Sequence, residues 1–433
     1  MTLYPSEPAR WPKKRLKFCA TYNDEVLPES TDDFAQIEYV EISDVSLVEG
    51  VRTSTPMLFH EAPSRARRKV REGDILVSTV RTYLKAIATV KEAASNLIAS
   101  TGFCVIRPTA ALDPGYAGWV AKSDEFVEEV VSRSVGVSYP AINASQLVDI
   151  SVPVPPLDAQ RPVAAFLDEK TAQIDALIAK KQLLLERLVE KRQTIITQAV
   201  TKGLNRVAPV KDTGVEWLGK IPVNWTIAPL WTAILKLESG VSVNSMDTPA
   251  DIGQFGVLKT SAVYSGEFNA SENKVVYDEE EINRLSCPVR KGEIIISRMN
   301  TPDLVGASGL VTEYHNNLFL PDRLWQTRFG ENSQASPEFI YYFLNSQLFR
   351  TIISSRATGT SGSMQNISQS DLMKIKIGMP TKSEQETICE AIRRSLKIIL
   401  EQNVQVENSV RLLREYRSAL ISAAVSGQIE GRK

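Results

Sequence analysis

Only two histidines occur in this sequence, His60 and His315, so neither a Ser-His-Asp relay nor a His-rich metal site has its parts. The four cysteines (Cys19, Cys104, Cys287, Cys389) are far apart and never in CxxC spacing. That argues against a zinc site and a disulfide framework, and makes a reducing cytoplasm the expected setting. Residues 214–220 satisfy G-x-x-x-x-G-K, but Ile221 and Pro222 follow. A phosphate loop needs Ser or Thr there and then a helix, and bulky Trp217 and Leu218 fill the loop. The match is a coincidence inside a linker. No G-x-G-x-x-G follows a strand-like run, and the Asn-Pro-Pro-aromatic motif that holds a flipped base is absent. The acidic run Asp278-Glu279-Glu280-Glu281 has the consecutive spacing of a solvated helix start rather than of a metal shell. No catalytic set emerges.

Hydrogen-bonding side chains do gather in loops; should the chain bind DNA, they could read base edges, where Arg suits guanine and Asn or Gln suits adenine, while phosphate contacts only position the protein. Such residues follow two similar runs, Gly73-Asp74-Ile75-Leu76-Val77-Ser78 and Gly292-Glu293-Ile294-Ile295-Ile296-Ser297. After the first stand Thr79, Arg81, Tyr83 and Lys85; after the second stand Arg298, Asn300 and Thr301. A second pair of loops, 134–139 and 356–365, adds Ser138 and Tyr139 in one half and Arg356, Ser361 and Gln365 in the other. Their Gly and Ser content allows close backbone approach to phosphate. Arg81, Arg298 and Asn300 are the leading single candidates; ordinary divergence of surface loops is the competing explanation. Net charge is −1, which gives no overall attraction to phosphate. Basic residues cluster instead, at Arg10, Lys13, Lys14, Arg15 and Lys17 and at Arg65, Arg67, Arg68, Lys69 and Arg71. A single cluster of this kind is usually a solvated face.

The elements that must hold these loops come in two copies. Ile142-Asn143-Ala144-Ser145-Gln146-Leu147 matches Ile367-Ser368-Gln369-Ser370-Asp371-Leu372, and the spacing carries on through Ile150 and Ile375, Val152 and Ile377, Pro155 and Pro380, and Gln160 and Gln385. Upstream, Trp11 and Leu16 match Trp225 and Leu230, with a drift that loop insertions explain. Collinear matches across most of both halves mark a duplication. Within each copy, short β-like runs at 75–77, 103–106, 150–152, 294–296 and 375–377, and at Ile367, mix with helical pieces near 116–133 and 337–354. Each copy then ends in a long run without Gly or internal breaks, led in by proline, with Pro162 placed in the first turn.

Those runs carry a four-three apolar spacing: Ile392, Leu396, Ile399, Asn403, Val406, Val410, Leu413, Arg417, Leu420 and Ala424, and in the same phase Leu167, Thr171, Ile174, Ile178, Lys181, Leu185, Leu188, Arg192, Ile195 and Ala199. That is a coiled-coil seam, and the natural partner of each helix is the other. With a whole domain between them, an antiparallel pair is expected, Leu167 lying near Ala424 and away from Ile392. The expected fold is α+β, two tandem recognition domains each followed by a long helix, the helices pairing as an antiparallel coiled coil. The segments are 1–157, first recognition domain; 158–204, central helix; 205–380, linker and second recognition domain; and 381–428, C-terminal helix. A chain of 433 residues, 43% hydrophobic and 23% charged, suits such a multidomain globular protein. No run approaches the roughly 18 apolar residues of a membrane span, and residues 1–17 lack the apolar run of a secretory signal.

At these motifs the sequence resembles the specificity subunits of Type I restriction-modification systems. The stretch Asp212-Thr213-Gly214-Val215-Glu216-Trp217-Leu218-Gly219-Lys220-Ile221-Pro222-Val223-Asn224-Trp225 is similar to the lead-in to that family's second target recognition domain. So are the Gly-Asp-Ile-Leu and Gly-Glu-Ile-Ile turns, the Pro-x-x-x-x-Gln leads into both helices, and the Gly-Thr-Ser-Gly-Ser run at 359–363. The resemblance implies a subunit without catalysis of its own, each recognition domain reading one half of a bipartite, asymmetric double-stranded DNA target while the helices fix the gap. It implies two adenine methyltransferase subunits as partners, which would carry the S-adenosylmethionine site, and motor-nuclease subunits for restriction; no cofactor is expected in this chain. The helices lack the short tandem repeat that tunes the gap in some members. From another class, a non-catalytic scaffold spacing two protein-binding domains on a helical rod accounts for the duplication and the near-neutral charge.

Overall fold

The computed structural model describes residues 11–429 except 206, 332, 362 and 363, and at 358–361 the backbone alone. Arg10 of the first basic cluster lies outside the described residues. The chain divides into two compact units, Met1–Gln182 with Glu407–Lys433, and Leu183–Val406.

In the first unit a four-stranded antiparallel sheet runs in the order Ala20–Tyr22, Phe103–Pro108, Ile75–Ser78, Ile87–Thr89. The second unit repeats it as Lys236–Glu238, Leu324–Arg328, Ile294–Ser297, Ser308–Leu310. A second sheet repeats as well. Gln36–Val40 lies parallel to Leu97–Ser100 and antiparallel to Thr55–Leu58; Phe255–Leu258 lies parallel to Leu318–Phe319 and antiparallel to Asn273–Val276. The fourth strand, Ala66–Lys69, shrinks in the second unit to a single bridge between Pro288 and Phe319. In both, the first strand of the domain pairs with the strand that leads into the long helix: Lys13–Arg15 with Ser151–Pro153, and Thr226–Pro229 with Lys376–Met379.

The Gly-Asp and Gly-Glu turns have a physical reason. Gly73 and Gly292 both have φ of 84°, which a side chain would strain. The acid that follows turns inward and meets the arginine on the neighbouring strand. Asp74 takes two bonds from Arg107, at 2.8 and 2.7 Å, and Glu293 lies 3.5 Å from Arg328 and accepts from Thr327 Oγ1 at 2.9 Å. Burial pushes the Glu293 carboxyl up; Asp74 and its guanidinium form the tighter pair.

Each expected helical piece is in fact two helices, Pro114–Lys122 with Asp124–Ser132, and Pro337–Leu344 with Gln347–Arg356. Ser123 and Ser346 interrupt them with extended backbone, and Ser346 caps the second of its pair by accepting from Phe349 N–H. Serine favours such caps over helix interiors. Ile367 is not in a strand but follows Met364–Asn366, directly before Ser368, which caps Gln369–Met373. The acidic run is a helix start: Asp278 caps Glu279–Arg284 through bonds from the N–H groups of Glu280 and Glu281.

The long helices are Leu157–Lys202, 46 residues, and Lys382–Val425, 44 residues. Because the first begins at Leu157, Pro162 falls in its second turn, where one intrahelical bond is lost. In the first unit the start of one helix packs against the end of the other, running opposite to it. Tyr116 Oη donates to Val425 O at 2.9 Å and sits 3.3 Å from Pro153 O, just before the first helix, while further along Asp175 pairs with Arg417 at 2.9 Å. Leu167, Ile174, Leu420 and Ala424 share one core. In the second unit Ile196, Ala199 and Val200 share a core with Ile388 and Ile392. The buried position is Ile196 rather than the expected Ile195, a one-residue departure from the seam. Each helix closes on a left-handed glycine beneath a tryptophan. A Cβ on Gly203 would lie 3.3 Å from the Trp225 ring, and one on Gly427 would lie 2.5 Å from Trp11 Nε1.

In the first unit Lys122 reaches a cleft of about 1260 Å³ also lined by Lys91, Asp168, Asp175 and Arg417. Burial, aided by Arg417 and Lys91 and opposed by Asp168 and Asp175, pulls its ammonium down to about 8. A lysine whose folded value lies below its unfolded one costs stability in full below the folded value and nothing above the unfolded one. Lys122→Met should therefore raise the melting temperature at pH 7, and the gain should shrink as pH rises from 8 toward about 10. A gain that stays constant across that range would refute the assignment.

Candidate nucleic-acid interface

The segment after the Gly-Asp strand and the loop before the short capped helix meet in both units. In the first unit Thr79 N–H donates to Gly102 O at 2.8 Å and Ile142 N–H to Thr79 O at 2.9 Å; in the second, Arg298 N–H donates to Arg323 O at 3.1 Å and Ile367 N–H to Arg298 O at 3.1 Å. Thr79 and Arg298 are therefore equivalent positions. Val80 bridges Ala141 as Met299 pairs with Asn366, which makes Arg81 the counterpart of Asn300 and Pro140 that of Gln365. Val135 closes on Ala141 as Thr358 closes on Asn366, so both loops are hairpins on one frame.

The side chains on that frame differ. In the first unit Arg81 and Lys85 both take left-handed backbone, with φ of 50° and 52°, around the single turn Thr82–Leu84. Strain of this kind on non-glycine residues tends to be kept where a site needs it. Thr82 anchors the turn by donating to Ser134 Oγ at 2.8 Å. The Arg81 guanidinium lies over the Tyr139 ring, 4.8 Å from its centre, and makes no ion pair or side-chain hydrogen bond among the described residues. Tyr83, Lys85, Ser138 and Tyr139 are exposed, and Val137 at the hairpin tip is fully so. Thr79 is internal to the frame, its hydroxyl donating to Gly102 O at 2.9 Å.

In the second unit Asn300 and Gln365 are paired across two strands. Both ends of the Asn300 amide are engaged, Nδ2 donating to Tyr264 Oη at 2.7 Å and Oδ1 accepting from Thr301 N–H at 2.9 Å. Thr301 is exposed beside it. Arg298 is half-buried over Trp325, 6.0 Å from the ring centre, with Nη1 3.4 Å from Asp322 O. Arg356 does not join this group: its guanidinium stacks on Trp217 at 4.7 Å and Nη1 lies 3.4 Å from Asp371 O. Ser361 ends strand Thr358–Ser361, and its side chain lies outside the described residues. Tyr264, which holds Asn300 and meets Thr260 Oγ1 at 2.7 Å, was not singled out by sequence, since only the fold brings its helical turn to these strands.

The basic clusters are largely exposed, and part of their charge is paired within the unit. Lys13 pairs with Glu125, Arg15 and Lys17 with Asp149, and Arg71 with Glu25. The Arg71 and Lys17 partners hold the Glu25 and Asp149 carboxyls below the usual carboxylate range. Arg67 lies over Phe59. The 214–220 segment forms the loop of a hairpin between Val210–Asp212 and Lys220–Pro222, with no helix after it to receive a phosphate. Among the described residues no group of three or more His, Cys, Asp or Glu is placed to hold a metal, and no helix is long and apolar enough to cross a membrane.

Residues 65–187 match the family described as Type I restriction modification DNA specificity domain. The EcoKI specificity subunit of Escherichia coli strain K12 is 24% identical over 331 residues, covering 76% of this chain and 68% of that protein. Over most of its length the chain is similar to the specificity subunits of Type I restriction-modification systems. The MjaVIII specificity subunit of Methanocaldococcus jannaschii is 23% identical over 266 residues, 60% of this chain and 59% of that protein, and for the EcoEI specificity subunit of Escherichia coli the matched share falls to 35% of its length. Solved structures share the fold. One, described as the structural basis of complex assembly and conformational transition of the type I R-M system, superposes with a TM-score of 0.79 at 20% identity over 98% of this chain and 100% of its own. The HsdS subunit from Thermoanaerobacter tengcongensis does so at 0.57 and 22% identity, over 99% and 100%. These likenesses are to DNA specificity subunits, and they disfavour a scaffold that binds proteins alone.

Proposed function

We propose that each unit of this specificity subunit reads one half of a bipartite, asymmetric DNA target, through the paired segments 79–85 with 135–141 in the first and 298–301 with 358–366 in the second. The observation that carries this is the shared backbone frame with unlike side chains at equivalent places: Thr79 against Arg298, and Arg81 against Asn300. Two readers of different half-sites need that combination. Arg81, free of internal partners and braced by Tyr139, suits the O6 and N7 acceptors of a guanine. The subunit works with two methyltransferase subunits that carry S-adenosylmethionine, and with motor-nuclease subunits when the target is cut.

Arg81→Ala should relax preference at one base pair of one half-site by roughly 1–3 kcal/mol. Methylation mapping of a host expressing the chain with its methyltransferase subunits, with and without the substitution, reads this directly. A uniform loss over all targets would mark Arg81 as a phosphate contact instead. With net charge −1, the isolated chain should bind DNA weakly at physiological salt; tight, sequence-specific binding by the chain alone in a salt titration would refute the dependence on partners.

A further inference from the structure

Three buried polar side-chain atoms without a hydrogen-bond partner among the described residues gather on one short ladder of the second unit: Arg298 Nε, Gln365 Oε1 and Asn366 Oδ1. Asn366 pairs with Met299, Gln365 pairs with Asn300, and Ile367 N–H bonds back to Arg298 O. An unsatisfied buried polar atom is costly, and native proteins keep few of them. Three on adjacent rungs need a reason, and the frame does not supply it. The first unit builds the same ladder with Thr79, Pro140 and Ala141 at those places, and the Thr79 hydroxyl is satisfied by Gly102 O. Nor is the whole ladder under-bonded, because the neighbouring Asn300 amide is engaged at both ends.

The chemistry of the three atoms limits what can complete them. Two amide oxygens need N–H donors, and one guanidinium N–H needs an acceptor. The edge of adenine in the major groove offers both, an amino group at N6 and an acceptor at N7, and a side-chain amide addresses the two together. The last torsion of Asn and Gln is broad, so an amide turned inward in the free chain can turn out onto a base at small cost.

We propose that Asn366, with Gln365 beside it, reads an A·T pair in the half-site of the second unit, the two amides leaving their unpaired inward positions as the DNA arrives. This rests on the reading of the two units as half-site readers. Asn300 then holds the ladder in place, and Asn366 makes the discriminating contact.

The test uses the full chain co-expressed with its methyltransferase subunits in a host without adenine methylation, the host genome serving as the probe. Asn366→Ala leaves the residue that the first unit already carries there as Ala141, so the frame tolerates it. The expected result is about a 10- to 100-fold loss of preference at one A·T position, in the half-site that Arg81→Ala leaves intact. Gln365→Ala should relax the same position or its neighbour. Asn366→Ser, which keeps one polar group, should relax it by less. An unchanged motif with Asn366→Ala, relaxation in the Arg81 half-site, or an even loss over all sites would overturn the assignment of Asn366. Absence of any bipartite motif with the unsubstituted chain would instead overturn the half-site reading beneath it.

Discussion

Gln385→Ala should lower the unfolding free energy of the second unit by about 3 kcal/mol, and Gln160→Ala should do the same to the first. Both side chains are buried at the start of a long helix, 0% and 1% exposed. Gln385 donates from Nε2 to Pro380 O at 2.9 Å and Gln334 O at 3.0 Å, and its Oε1 accepts from Ser336 N–H at 2.7 Å. Gln160 repeats the pattern with Pro155 O at 2.7 Å, Ala111 O at 3.2 Å and Asp113 N–H at 2.7 Å. One amide thus ties the lead-in to the helix and the loop that starts the first short helix of the domain. Alanine leaves two carbonyls and one N–H buried without partners and opens a cavity. Glutamate is no remedy, because its second oxygen would face two carbonyls. Since the chain holds two units, one unfolding free energy is not defined for it. Hydrogen exchange at the Ser336 and Asp113 amides resolves each unit separately. Exchange at Ser336 accelerated less than about 10-fold by Gln385→Ala would show that the glutamine is dispensable, a tenfold change being about 1.4 kcal/mol.

The same glutamines show how far the sequence could be read. The Pro-x-x-x-x-Gln spacing stands out in both halves, and so does the family it resembles, but its physical role depends on residues about fifty positions away that no local pattern reveals. The duplication, the Gly-Asp turns and the seam of the helices are legible because they are periodic or repeated. Arg107 and Arg328, which answer the acids of those turns, are not, since strand pairing alone brings them there. The pairing of the basic clusters was illegible for a related reason. Charge adjacent in sequence looks like a patch, yet Asp149, Glu125 and Glu25 arrive from elsewhere to pair with part of it. The two segments proposed for the interface stand out in each half because Arg, Asn and Gly-Ser loops follow recognisable strands. The sequence did not show that the Asn300 amide is spent within the unit while the Asn366 amide oxygen lacks a donor, because hydrogen bonding is decided by tertiary neighbours.

The duplication carries a further consequence with a larger effect on targeting than any point substitution. A chain with residues 11–157 in place of 225–380 should lose its original target, against a specific-over-nonspecific margin of about 10³ or more, and should methylate sites carrying two copies of the first half-site. The graft meets surfaces it already knows. Trp11 would close on Gly203 as it now closes on Gly427, both left-handed glycines that end a long helix. Tyr116 Oη, which donates to Val425 O, would find Val200 at the matching place, itself buried. Gln385 would meet the loop that Gln160 now holds. One contact improves: Trp11 Nε1 is buried without a partner, whereas Trp225 Nε1 donates to Glu384 at 2.9 Å, and a grafted Trp11 would gain that carboxylate. Another is lost, because Arg192 at the place of Arg417 has no counterpart of Asp175; it pairs instead with Glu267 at 3.4 Å, a residue the graft removes. That pair is exposed on the glutamate side, so its loss should cost no more than about 1 kcal/mol. Methylation mapping decides the matter. A soluble complex that still marks the original asymmetric target would sink the assignment of one half-site to each unit, because half of the reading surface would then be missing from a chain that reads the whole.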